Sequence, residues 1–485
     1  MSSAAQRDVV VIGGGVAGLS AALVLADAGL RVSVLEKEAR VGGRASSWRH
    51  EASGDVVDIG PHVLTTAYRN FPAMLERVGT HAHVKWQGDT VLTFGNRRPP
   101  TRLAHRLLTP PFSLLPDLAR APGLDWRDLA SNLPPTWEAL TFTEDDVARL
   151  DAMPALDYLK SCGVTANMVD WFWRFACMAV MNVPLERCST AALMRVHSLF
   201  IGQRRMRFGF PTIPLGELFA EPAAHEVERA GSEVRRGAEV VRLERAARGH
   251  VVYLADGTQC TAQHVVIALP PAELARLQPG LARTDAFRPS PYVSVYTWFD
   301  RVLSPEPFWA LQWAPRRMNY DFYDLANIRD GARGGSLVAS NIIHSHRTRG
   351  MSDEALVRAT VEEIAEFLPH ARTARLVHSD VHHIPMAVCE PAPGTECLRP
   401  GTRTRVEGLL IAGDWVRTGM PSSMESATRA GLLAAEAVLE ERGAPRRLAQ
   451  PLPSNDGLAG AIQRVAGWRR RLKRRAGDRA EPRPA

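Results

Sequence analysis

Lysine is almost absent from this chain: of its 59 basic residues, only Lys37, Lys85, Lys160 and Lys473 are lysines. No lysine lies in the long interval between positions 160 and 473. Cysteine is sparse as well. The six present (Cys162, Cys177, Cys188, Cys260, Cys389 and Cys397) include no Cys-x-x-Cys pair, which argues against a disulfide framework or a metal site. Reduced thiols fit a cytoplasmic protein. No apolar run reaches the roughly 18 residues that would cross a membrane, and the opening MSSAAQR lacks the apolar region of a secretory signal. Internal repeats and long low-complexity linkers are missing too.

What is present is a chain of 485 residues, 45% hydrophobic, enough for two or three domains around a large core. Its charge is segregated. Residues 461–485 hold nine Arg/Lys and two Asp/Glu, a net +7 that equals the formal charge of the whole chain. The first 460 residues are thus neutral, which argues against a nucleic-acid-binding body.

The N-terminus carries the clearest pattern. Residues 8–12 (DVVVI) form a β-branched run suited to a buried parallel strand. It runs into Gly13-Gly14-Gly15-Val16-Ala17-Gly18, a helical pattern to Ala28, a stop at Gly29, and a second strand over 31–35 that ends at Glu36 and Lys37. This is a β-α-β dinucleotide fingerprint and predicts an α/β, Rossmann-like domain. Gly13 allows the tight turn, Gly15 lets the backbone approach a pyrophosphate, and Gly18 permits close helix packing. The first N–H groups of the helix, at Val16 and Ala17, suit the phosphates. Glu36 is placed to accept hydrogen bonds from an adenosine ribose.

Further along come Val41-Gly42-Gly43-Arg44, Asp58-Ile59-Gly60-Pro61-His62 and a distal Leu-Leu-Ile-Ala-Gly413-Asp414. Together with Glu36, these elements resemble the flavin-containing amine oxidase and carotenoid desaturase superfamily. That resemblance implies FAD in an extended pose on a p-hydroxybenzoate-hydroxylase-like fold. It places Gly43 and Arg44 by the pyrophosphate or the flavin edge, although a surface salt bridge is the plainer role for Arg44. It also implies a loop near the ring at Gly60, a backbone contact to adenine at Val240, and Asp414 beside the ribityl chain or behind the phosphates. Residues 422–425 (SSME) read as a capping box that starts a helix with Met424 near the ring.

The expected FAD domain is discontinuous, 1–80, 221–275 and 403–443. The expected interleaved α+β substrate domain comprises 81–220 and 276–402, and a loose Pro-rich linker with a basic amphipathic tail occupies 444–485. Three segments bear on the substrate. Residues 96–124 interleave Leu103, Leu107, Leu108, Phe112 and Leu115 with arginines, as an interfacial membrane patch or a core hairpin would. Residues 170–184 (DWFWRFACMAVMNVP) read either as the lining of an apolar tunnel or as core. In the tail, Ile462, Val465, Trp468 and Leu472 recur among seven basic residues, which suits an anionic membrane surface or a solubilising tail.

Many amine oxidases of this superfamily carry a lysine near the flavin and an aromatic in the loop before the last helix. This chain lacks the first, and its loop Arg417-Thr418-Gly419-Met420-Pro421 lacks the second. Over most of its length it is more similar to bacterial hydroxysqualene dehydroxylases and plant-type phytoene desaturases. The stretches that carry this likeness are IGPHVLTTAYRNFPAMLERVG, CMAVMNVP, PLGELFAEPAAHEVERAGSEVRRGAEV and AGDWVRTGMPSSMESATRAGLLAAEAVL. The resemblance implies a peripheral membrane oxidoreductase acting on a long isoprenoid by hydride transfer at flavin N5, with His62 as the candidate proton handler. A flavin amine oxidase and a non-catalytic FAD-containing isoprenoid-binding protein are the alternatives. The segment 319–331 (NYDFYDLANIRDG) fits neither subgroup.

Overall fold

The computed structural model describes residues 5–95, 100–106, 109–330 and 334–477. Two seven-stranded sheets organise it. In the first, Glu233–Arg235, Val32–Leu35, Ala5–Ile12 and Gln259–Ile267 lie side by side, all parallel. The long strand Gln259–Ile267 then shares its far edge between two partners. His250–Leu254 pairs antiparallel with its first half, and Leu409–Ile411 pairs parallel with its end. Val240–Arg245 completes the sheet. Val9, Val10 and Val11 are fully buried, as expected of a parallel strand covered on both faces.

Two helices pack together on this sheet, Val16–Asp27 and Met424–Glu441. They approach closely because Gly431 faces the backbone of the other helix: a Cβ there would stand 2.2 Å from the Ala17 carbonyl oxygen.

The second sheet runs in the order Leu376–Cys389, Pro289–Phe299, Leu337–Ile343, Asn319–Asp324, Phe308–Ala310, Thr90–Phe94 and Thr101–Ala104. Its pairings are antiparallel, apart from the parallel bridge of Ala310 to Phe94. A helical lobe between residues 115 and 202 ends in the helix Thr190–Gly202 and closes one side.

Three segments with open readings are placed here. Trp171, Trp173, Phe175, Met178 and Met181 pack into core clusters instead of lining a tunnel, since the segment turns its aromatic face towards neighbouring helices and the second sheet. Of residues 96–124, Leu103 is core while Phe112 and Leu115 are exposed; Arg97, Arg98, Leu107 and Leu108 lie outside the described residues. The segment after 443 is not loose. The Glu436 carboxylate accepts from the Leu448 and Ala449 N–H groups, and Asn70 Oδ1 accepts from Gln450 N. The final helix Gly457–Gly477 then docks on the body, with Gln463 donating to the Phe142 carbonyl and Arg470 paired with Asp146.

Candidate cofactor and substrate cavity

A cavity of about 950 Å³ starts at the N-terminal glycine loop, passes between the two sheets and ends against the helix Thr190–Gly202. At its first end the backbone is shaped by glycine. Gly13 has φ +103°, and a Cβ on it would lie 2.7 Å from the Ala268 oxygen. Gly15 caps the helix Val16–Asp27 with no side chain over it, so the first N–H groups, which no helical carbonyl can reach, open on the cavity beside Val16 and Ala17. Gly43, with φ +58°, brings a second backbone turn alongside. A pyrophosphate needs this kind of side-chain-free cradle.

Glu36 is buried at the end of its strand, where its carboxylate accepts from Gly14 N at 2.7 Å and Glu38 N at 2.9 Å. Glu36, Lys37 and Val240 line the cavity beside the glycine loop, giving this end a polar rim that fits an adenosine. Two of the expected contact residues do not line the cavity. Gly18 sits behind the loop, where a Cβ would be 1.9 Å from the Gly13 oxygen, so its role is packing. Gly60 backs onto the second sheet, where a Cβ would meet the Ser294 hydroxyl at 2.5 Å.

Midway, Arg44 and Asp414 join the two motifs. The guanidinium lies 2.6 Å from the Asp414 carboxylate and donates to the Ala387 carbonyl at 3.1 Å. Burial works against the Arg44 cation, but Asp414 outweighs it and raises the pKa. Arg44 is thus neither a surface pair nor a free cation: it fixes the carboxylate at the cavity wall. The Asp414 backbone oxygen accepts in turn from Arg399, Ser422 and Ser426.

The expected capping box is also revised. Ser423 caps the last flavin-domain helix through Ser426 N, and Met424 lines the cavity at that N-terminus. Glu425 instead turns away, accepting from Asn70 N, Asn70 Nδ2 and Phe71 N. It caps a different helix, Asn70–Arg77.

Beyond Asp414 the lining changes character. His62 enters from the Gly60-Pro61 loop, and its Nδ1–H donates to the Gly60 carbonyl at 2.8 Å. Burial holds its pKa below the usual histidine range despite that bond, so the ring is neutral and Nε2 is an acceptor. Facing this region is a group that sequence reasoning missed: Tyr292, Asp321, Tyr323 and Asn341, drawn from three adjacent strands of the second sheet. The strand signal was hidden because every residue of Asn319–Asp324 is buried, so no alternation marks a cavity face. The remaining arm is apolar, lined by Val180, Val196, Leu199, Phe200, Met206 and Phe208. Among the described residues no cluster of His, Cys, Asp and Glu could hold a metal ion.

Among known proteins, residues 16–439 match the family described as flavin containing amine oxidoreductase. The chain is 24% identical over 473 residues to a 15-cis-phytoene desaturase of an Oncidium hybrid cultivar, covering 90% of this chain and 78% of that one. It is 26% identical over 495 residues to the carotenoid phi-ring synthase of Streptomyces griseus, covering 94% and 92%. The solved cyclohexylamine oxidase of Brevibacterium oxydans shares the fold, with a TM-score of 0.68 at 17% identity over 90% of this chain and 99% of that one.

Proposed function

The chain belongs to the family of flavin containing amine oxidoreductases, and from that premise we propose that it is an FAD enzyme acting on a long isoprenoid hydrocarbon. Bound along the cavity, FAD supplies a two-electron centre that takes up or returns hydride. The glycine loop and the helix behind it hold the diphosphate, Glu36 and Val240 the adenosine end, and Asp414, fixed by Arg44, the middle.

The apolar arm past this site carries the substrate reading. Its lining from Val180 to Phe208 carries no charged side chain, so whatever extends along it past the Asp321 region is apolar, and the Met420-Pro421 loop offers no aromatic ring. A flexible hydrocarbon gains roughly 0.8 kcal/mol for each methylene it buries in such a channel. The names of the two curated relatives, a phytoene desaturase and a carotenoid ring synthase, support the same substrate class.

A membrane is the physical source of such a substrate. Trp126, Leu133 and Trp137 are 72%, 65% and 60% exposed on the helical lobe. The helix that bears Leu133 and Trp137 packs against Thr190–Gly202, which supplies Val196, Leu199 and Phe200 to the cavity. The final helix, packed beside it, exposes Leu458, Val465 and Trp468 along one stripe, next to Arg464 and Arg469. Aromatic and basic side chains together suit peripheral docking on an anionic lipid surface, which on the inner face would be cytoplasmic.

The test is anaerobic incubation of the holoprotein with a phytoene-type polyene, with hydroxysqualene after reduction, and with a panel of primary amines. Bleaching of oxidised flavin by the polyene, or reoxidation by hydroxysqualene, supports the reading and fixes its direction. A response to amines alone overturns it.

A further inference from the structure

We propose that Asp321 is the proton acceptor of the reaction site, taking a proton from the hydrocarbon carbon next to the one that gives up hydride. This rests on the isoprenoid reading above.

The geometry is unusual for a carboxylate. Asp321 is 5% exposed, in the interior of a sheet, and lines the cavity. One oxygen accepts the Tyr323 hydroxyl at 2.6 Å; the other, Oδ1, has no hydrogen-bond partner and is itself shielded from solvent, so a reacting carbon reaches it only after a small side-chain rotation. No cation among the described residues is paired with it. A buried carboxylate with an unpartnered oxygen costs free energy, so its retention at a cavity wall points to a function in the site.

The backbone also aims it. The pairing of Asn319–Asp324 with Leu337–Ile343 slips between Asn319 and Phe322, placing Tyr320 and Asp321 in an irregular stretch. Such bulges redirect side chains. The start of that strand is clamped by Glu363, which accepts from the Met318 and Asn319 N–H groups.

A comparison three residues along the same strand separates role from burial. Asp324 is also buried and raised to about 6, yet its carboxylate accepts from Ser336, Asn327 and Ala326 N and it does not line the cavity. Asp324 is structural; Asp321 is half satisfied and faces the site.

Burial raises the Asp321 pKa to about 6, against the lowering effect of the Tyr323 bond. The titratable groups facing it are Tyr323 on its own strand and Tyr292 two strands away. Burial raises both, and the negative charge of Asp321 adds to the shift; Arg44 opposes it at Tyr292. Near neutral pH Asp321 is therefore an ionised base with a pKa close to working pH, the condition for effective proton transfer.

The step balances. One allylic carbon loses hydrogen with its electron pair to the bound flavin, the two-electron oxidant. Asp321 accepts H⁺ from the adjacent carbon, and that C–H electron pair becomes the new π bond. The products are a polyene with one more double bond, a protonated Asp321 and a two-electron-reduced cofactor.

Asp321→Asn and Asp321→Glu holoproteins test this beside the wild type, with flavin absorbance, polyene-induced flavin perturbation, turnover and infrared difference spectra as readouts. Turnover by Asp321→Asn is expected to fall on the order of 100- to 10,000-fold, with FAD content and polyene binding within about threefold of the wild type. Wild-type kcat/KM should rise through about pH 6 and level off above it, and Asp321→Glu should keep partial turnover with that limb displaced. The infrared band of protonated carboxyl should lose intensity between about pH 5 and about pH 7.5 in the wild type, and that loss should be smaller in Asp321→Asn, where Asp324 remains to titrate there. Turnover by Asp321→Asn within tenfold of the wild type, an unmoved acid limb in Asp321→Glu, or loss of FAD from both variants overturns the proposal while leaving the isoprenoid reading in place. A wild type that neither binds nor turns over polyenes overturns both.

Discussion

Arg44 and Asp414 stand 370 positions apart and meet at 2.6 Å on the cavity wall. The pair joins the two ends of one cofactor site, and its loss leaves a carboxylate that is 6% exposed without a counter-ion. Arg44→Ala should weaken FAD binding roughly 10- to 100-fold, the range of one charge-assisted hydrogen bond. Flavin fluorescence titration of the apoprotein measures it. Asp414→Asn, which keeps the shape, should lose less.

Glu425 holds the start of the helix Asn70–Arg77 with a buried carboxylate. Glu425→Gln sets an amide N–H against backbone N–H donors, a cost of about 1–3 kcal/mol. The thermal midpoint of the holoprotein should fall, with the flavin spectrum unchanged at low temperature.

The helix crossing at Gly431 leaves no room for a methyl group. Gly431→Ala should destabilise the protein by roughly 1–3 kcal/mol, since the two helices must separate. Gly88, which has open space around the Cβ position, provides the control: Gly88→Ala should unfold at the same denaturant concentration as the wild type.

Acid should unfold this protein through its buried histidines. Burial lowers the His197 pKa to about 3, and the ring lies 4.5 Å from that of Trp173 with Nε2 unpartnered. The unfolded chain binds that proton near pH 6.5 and the folded chain does not. The stability this group confers is therefore complete above about pH 6.5 and lost as pH falls from there towards the folded value, by about 1.4 kcal/mol per pH unit. His197→Phe should flatten the fall in denaturation midpoint between about pH 7 and about pH 5 by one proton's worth.

Membrane docking predicts sedimentation with vesicles containing anionic phosphatidylglycerol but not with neutral phosphatidylcholine, weakened by salt. Trp137→Ala combined with Trp468→Ala should reduce bound protein several-fold at unchanged flavin content. Equal sedimentation of wild type and double variant would place the docking surface elsewhere.

The parts of the site legible in the sequence are those that act within a few residues of themselves. The Gly13–Gly18 spacing needs only the geometry of one turn, so the close packing at Gly18 is legible in it even though that glycine does not line the cavity. Glu425 shows the limit. Its position after two serines matches a local cap, but a carboxylate on a long side chain reaches whichever helix end is nearest in space, and here that belongs to Asn70. The aromatic stretch at 171–175 left tunnel and core both open in the sequence, because density of rings does not say which face of the helix meets a cavity. Asp321 was illegible for another reason. In a strand buried on both faces, only the slip in register marks the residue turned towards the site.

The strand order of the first sheet has a consequence during synthesis. Ala5–Ile12 emerges from the ribosome early, but its neighbour Gln259–Ile267 follows roughly 250 residues later, on the order of 10–50 s at ordinary elongation rates. For that interval the nascent chain carries a β-branched strand with one bare edge, a ready partner for other chains. The last strand and the helix that completes the cofactor cavity come only after residue 408. FAD therefore has no finished site to enter until the chain beyond residue 408 has been made.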